Sequence, residues 1–132
     1  MGRMREIKFR GMPIEDYGDT KWFYGNAIVN YDDKLAYIEA SGQGFVPVKW
    51  ETVSQYTGLS DKNGEEIYEG DILEFSGNVV ALGIVKYNEN FATFQACNGN
   101  SGWLFGNESG TNIEILGNIY ENPELLKGAA KE

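Results

Sequence analysis

Histidine is absent from the 132-residue sequence, and cysteine occurs once. The missing imidazole removes the commonest general base near neutral pH, the commonest metal ligand, and any Ser–His or Cys–His nucleophile. Little conventional hydrolase chemistry is left, so the chain reads as a non-enzyme with no catalytic residue, no cofactor and no metal. The lone Cys97 excludes an internal disulfide framework and a cysteine-cluster zinc site. With Lys86 the nearest cation along the chain, Cys97 reads as a small apolar residue of a β core rather than a reactive thiol.

Arginine is scarce as well: Arg3, Arg5 and Arg10 all fall in the first ten residues beside Lys8, whereas nineteen of the twenty acids come later. At a net charge of −9 the body of the chain repels phosphate, which makes DNA or RNA an unfavourable partner. An acidic surface suits solubility or a basic protein partner. Long apolar runs are missing too. No window reaches the roughly 20 residues of a membrane span. The charged start Met1–Lys8 has no apolar run behind it, so no secretory signal is expected and the cytoplasm is the expected location.

What is present favours strands. Seventeen glycines with 14% aromatic residues suit an all-β fold, because glycine costs about 0.8–1 kcal/mol at each helix-interior position. In Glu6–Arg10, Ile7 and Phe9 alternate with Lys8 and Arg10, the period of a half-buried strand. Lys21–Asn30 reads as a strand with Gly25 at a bulge or close backbone approach. Tyr31–Lys34 turns, Leu35–Ala40 returns, and Ser41–Gly44 turns again into Phe45–Trp50, which Pro47 assigns to a sheet edge.

Val53–Tyr56 is extended and Gly58-Leu59 bends. Asp61-Lys-Asn-Gly64 carries the Asn-Gly signal of a tight turn before the short strand Glu66–Tyr68. Gly70-Asp71 opens the strand Ile72–Phe75, Gly supplying a positive φ and Asp a bond to a backbone N–H. After a turn at Ser76–Asn78, Val79–Tyr87 is apolar at nearly every position. It reads as a central strand, covered on both faces or packed on another subunit. Phe91–Cys97 is a further strand, Asn98–Thr111 is loose, and Ile113–Tyr120 is the last strand, with a bulge at Gly117. Asn122 as cap, Pro123 and Glu124 start a short helix, Pro123–Lys127, which Gly128 ends.

Three blocks carry a family resemblance: Met4–Gly11, Thr52–Ile72 and Ile115–Leu126. On these the chain resembles the YopX family of phage and prophage proteins, with Ser54 where glycine is common and a glycine-rich insertion around Asn98–Gly110. The first block also implies that Met4 is the natural start. The resemblance implies an all-β protein whose C-terminal portion is an SH3-type barrel followed by a short helix. The expected organisation is an N-terminal β subdomain at residues 1–49 and the barrel with its helix at residues 50–132, the two sharing one core. No catalytic residue, cofactor or substrate follows from the resemblance.

Other residues invite chemistry and are weighed against plainer roles. Asp16/Asp19, Asp32/Asp33 and the run Glu65, Glu66, Glu69 and Asp71 are potential Mg²⁺ or Ca²⁺ ligands, but solvated turns account for them equally simply. The Gly of Asp61–Gly64 comes two places too early for an EF-hand loop. Gly42-Gln-Gly44 and the glycines from Gly99 to Gly110 precede no helix, so both read as turns; Trp103 and Phe105 are then core residues or anchors of a binding loop. Trp22, Phe23, Tyr24, Trp50, Tyr56, Tyr68 and Phe75 read as core rather than as a stacking platform for single strands. The expected function is therefore a phage accessory protein acting through protein–protein contacts with a host or phage partner, or as a homo-oligomer. A nucleic-acid-binding small β-barrel is the alternative.

Overall fold

The computed structural model describes residues 6–76, 81–98, 101–104 and 112–126. They form eleven strands and little else: β1 (Phe9–Gly11), β2 (Phe23–Asn30), β3 (Leu35–Ala40), β4 (Gly44–Val48), β5 (Ser54–Ser60), β6 (Glu66–Tyr68), β7 (Asp71–Phe75), β8 (Ala81–Asn88), β9 (Thr93–Asn98), β10 (Ser101–Leu104) and β11 (Ile113–Asn118). The chain divides into two compact units, Met1–Gly58 and Leu59–Glu132. The all-β expectation holds, and residues 124–126 supply the short helical turn at the end.

In the first unit the strands lie in the antiparallel order β4-β3-β2-β1-β5. Alternation sets the faces, because side chains at i and i+2 share one side of a strand. Phe23, Ala27 and Val29 of β2 face inward with Ala36, Ile38 and Ala40 of β3 and Val46 and Val48 of β4. The β2–β3 ladder pairs Ala27 with Ile38 and Val29 with Ala36. At Gly25 the two strands come unusually close: a Cβ there would lie 2.0 Å from the Glu39 carbonyl oxygen, inside any van der Waals contact. This is the close approach expected at Gly25. Beyond β1 the chain runs back along β4, where Pro13 bridges Val48 and the Ile14 N–H donates to the Pro47 carbonyl at 3.1 Å. Pro47 therefore sits on the terminal strand, as its missing N–H requires, with its carbonyl satisfied.

The second unit has the order β10-β9-β8-β7-β11, again antiparallel, with β8 central. Its core is Ile67, Leu73, Phe75, Val85, Phe94, Ala96 and Ile113. Each unit thus has its own apolar cluster instead of the single core expected. The expected boundary at residue 49 also moves, to Gly58, because Ser54 and Gln55 pair with Arg10 and Phe9 and so belong to the first sheet. Among the described residues no ladder joins β10 to β11.

Buried backbone polar groups must be matched, and two aspartates do this in the second unit. Asp61 is 6% exposed. Its Oδ1 accepts from the N–H groups of Asn63 and Glu65, both at 2.9 Å, and its Oδ2 from Ile115 N–H at 3.0 Å. One carboxylate thereby shapes the turn before β6 and anchors it to β11. Asp71, 1% exposed, accepts from Tyr68 N–H at 2.8 Å, and Gly70 takes φ +85°, both as the local sequence predicts.

Other expectations need correction. Gly58-Leu59 does not end a strand, since β5 runs through to Ser60. β10 forms inside the stretch read as loose, pairing Ser101–Leu104 with Asn98–Gln95, because a ladder supplies hydrogen bonds that composition does not reveal. Within the apolar run, Val85 is buried but Tyr87 is 47% exposed, so only part of the strand is covered. Cys97 is half-buried and receives a bond from Gln95 Nε2 instead of sitting in the core. Asn122 does not cap with its side chain: its Oδ1 accepts from Asn118 N–H at 3.2 Å. The last strand shifts register between Ile115 and Gly117, the bulge expected there. Residues 77–80, 99–100 and 105–111, the Trp103 side chain and the helix end at Lys127 and Gly128 lie outside the described residues.

Two substitutions test these constraints by urea denaturation. Gly25→Ala drives a methyl into a backbone oxygen and is expected to destabilise by about 2–3 kcal/mol. Asp61→Asn turns an amide N–H₂ towards one of three backbone donors and is expected to cost roughly 1.5–3 kcal/mol. A change below about 0.5 kcal/mol, the scale of an ordinary surface substitution, would remove either constraint.

Candidate functional site

The ladders of the first unit fix which side chains share the face opposite its core. Residues directly paired across strands point to the same side. Tyr24 pairs with Arg10, Asn26 with Glu39, Ile28 with Tyr37, and Asn30 with Leu35. Across the next ladder Glu39 pairs with Phe45 and Tyr37 with Pro47. The outer face consequently carries Tyr24, Ile28, Leu35, Tyr37 and Phe45, each between 37% and 58% exposed. With aromatic side chains covering roughly 150–250 Å² each, the five expose on the order of 400 Å², as large as the biggest patch on a typical monomer.

At one end of this face is an open groove of about 630 Å³, lined by Lys8, Tyr24, Gly25, Asn26, Glu39 and Ser41 among others. Lys8 Nζ lies 3.4 Å from Glu6 and 5.4 Å from the centre of the Tyr56 ring, so its charge is engaged twice. Glu39 is exposed and accepts a long bond of 3.4 Å from Asn26 Nδ2. Arg10 is a further correction. Expected on a solvated basic strand, it is 6% exposed, and its guanidinium stacks 4.3 Å from the Trp22 ring centre.

The seven aromatics read as core separate into two groups. Phe23, Tyr68 and Phe75 are buried, and Trp50 packs against the first core. Tyr24 is exposed on the outer face, and Trp22 and Tyr56 lie half-buried beneath the stacked cations. Sequence reasoning missed Ile28, Leu35, Tyr37 and Phe45 altogether. The signal was present in β2, where apolar residues occupy both phases of the alternation, but both phases apolar also describes a strand covered on two sides.

The carboxylates do not converge. Among the described residues no three His, Cys, Asp or Glu side chains are placed to hold a metal ion. Asp16 accepts from Gly18 N–H at 2.8 Å and Asp33 joins Asn30 across the β2–β3 turn, each shaping its own loop. In the acidic run, Glu66 accepts from the Tyr68 hydroxyl at 3.0 Å while Asp71 turns inward to backbone. Gly42-Gln-Gly44 is the turn between β3 and β4, closed by Gln43 N–H on the Ala40 carbonyl. No helix among the described residues is long and apolar enough to cross a membrane.

Charge is split unevenly between the units. Residues 1–58 hold seven basic and eight acidic side chains, whereas residues 59–132 hold four basic and twelve acidic. The outer face and its groove therefore belong to the nearly neutral part of the chain, and the surplus of acid to the other.

No curated protein matches the chain. A family model described as YopX protein does match, over residues 8–127, taking in every strand of both units, and the chain belongs to the YopX family.

Proposed function

We propose that the chain is a non-enzymatic accessory protein of phage or prophage origin, working in the bacterial cytoplasm through protein–protein contact made by the outer face of its first sheet. The exposed set Tyr24, Ile28, Leu35, Tyr37 and Phe45 carries the reading. A flat apolar patch ringed by polar residues such as Asn26, Asn30 and Glu39 has the anatomy of an interface, with aromatic anchors at the centre. The second unit acts as an acidic, SH3-type partner module; five antiparallel strands and a closing helical turn support that assignment. A second copy of the chain is one occupant this face admits, and size-exclusion at rising concentration separates it from a foreign partner.

A second reading has one observation in its favour. Lys8 on Tyr56 and Arg10 on Trp22, beside exposed Tyr24, combine cations with rings as single-strand binders do. Both cations already stack on the protein's own aromatics, which weakens their hold on phosphate. Fluorescence anisotropy with labelled single and double strands checks it, and no binding at about 50 mM salt removes it.

The leading reading is tested by immobilising the wild-type chain and Ile28→Asp, then quantifying retained host and phage proteins at low salt. Ile28 is 52% exposed, so the substitution spares the fold. Retention is expected to fall about thirtyfold, the loss of about 2 kcal/mol at an interface hot spot. A partner list unchanged by Ile28→Asp, or no partner at all, would falsify the reading.

A further inference from the structure

The groove beside the apolar face is a distinct chemical environment, and its charges are not symmetrical. It lies between the start of β2, the end of β3 and the turn that follows. Its one cation, Lys8, is held by Glu6 and stacked over Tyr56. Its second carboxylate, Glu39, is exposed, and its printed contact is a single neutral, long bond from Asn26. Tyr24 sits two residues before Asn26 on β2, diagonal to Glu39 across the ladder, where Cβ atoms lie roughly 7–8 Å apart. That separation leaves room for one flat group between a ring face and a carboxylate.

We infer that this groove is a guanidinium site: it takes the arginine side chain of a basic segment of the partner protein, stacked on Tyr24 and paired with Glu39. Arginine meets both demands at once. Its planar, weakly hydrated cation stacks on an aromatic face and presents parallel N–H donors to a carboxylate, whereas an ammonium offers a compact, strongly hydrated charge. The chain's net charge of −9 draws a basic segment towards it. Gly25 keeps the geometry, because any larger residue pushes β2 off the Glu39 backbone. The inference rests on the outer face being a protein interface, and it specifies the residue that reads the partner at the rim of that face.

The test uses the ¹⁵N-labelled full chain and three small probes: N-acetyl-arginine amide, N-acetyl-lysine amide and the uncharged N-acetyl-citrulline amide. Titration to about 50 mM suits the millimolar affinity of a single side chain. The arginine probe is expected to shift the backbone amides of Gly25, Asn26, Ser41 and Gly42 in a saturable way. Lysine should bind at least threefold more weakly and citrulline not at all. Glu39→Gln and Tyr24→Leu, both at exposed positions, should each weaken arginine binding at least fivefold while the rest of the spectrum stays put. Absence of a saturable shift with arginine, equal binding of lysine, or binding unaffected by Glu39→Gln overturns the inference. If partner retention depends on Ile28 while the arginine probe fails, the apolar interface stands and the guanidinium site falls. If retention ignores Ile28 while the probe binds at the groove, the interface reading falls and the guanidinium pocket stands alone.

Discussion

The outer face of the first unit depends on how closely β2 and β3 approach at Gly25. A single missing Cβ lets the Glu39 carbonyl lie where a side chain would start, which brings Asn26 beside Glu39 and Tyr24 onto the diagonal. The same ladder, continued, sets Ile28 against Tyr37 and Asn30 against Leu35. Register in a two-stranded pairing moves as a block, since a slip of one residue would turn every side chain to the other face. The inward set of Ala27, Val29, Ala36 and Ile38 fixes that block by burial. Apolar residues on both sides of the ladder then leave a hydrophobic surface that the unit's own core does not use.

In the second unit acid is used differently. Asp61 and Asp71 are buried and satisfied by backbone donors, so their charge shapes turns and joins them to strands. The remaining acids sit on or near the surface, and Lys62 pairs with Glu114 at 3.3 Å between partly exposed side chains. An exposed pair of that kind contributes little to stability. Concentrating the negative charge in one unit leaves the apolar face in a nearly neutral setting, where hydrophobic contact is not opposed by strong like-charge repulsion. Long-range attraction for a basic partner and short-range adhesion thus come from different parts of the chain.

Local chemistry was easily read along most of the chain. Leu35–Ala40 and Glu66–Tyr68 fall where their alternation and flanking turns predict, because strand period and Asn-Gly punctuation act over a few residues. Gly25, Gly70 with Asp71, and the bulge near Gly117 were legible for the same reason. β10 was not, since its pairing with β9 places a strand in a segment whose composition favours turns. Arg10 was misread because a buried guanidinium over Trp22 looks, in sequence, like any basic residue on a half-exposed strand.

By itself the sequence determined the all-β character, the absence of histidine chemistry, the acidic balance and the family. Each follows from composition or from contiguous motifs that need no knowledge of distant neighbours. Only the tertiary structure decided which aromatics are core and which are surface, that Asp61 holds β11, and that Tyr24, Asn26 and Glu39 line one groove. The reason is physical. Tyr24 and Glu39 are fifteen residues apart in the chain and become neighbours through a ladder whose register is set by burial on the opposite face. No local pattern encodes that pairing, and with it comes the one surface of this protein built for contact.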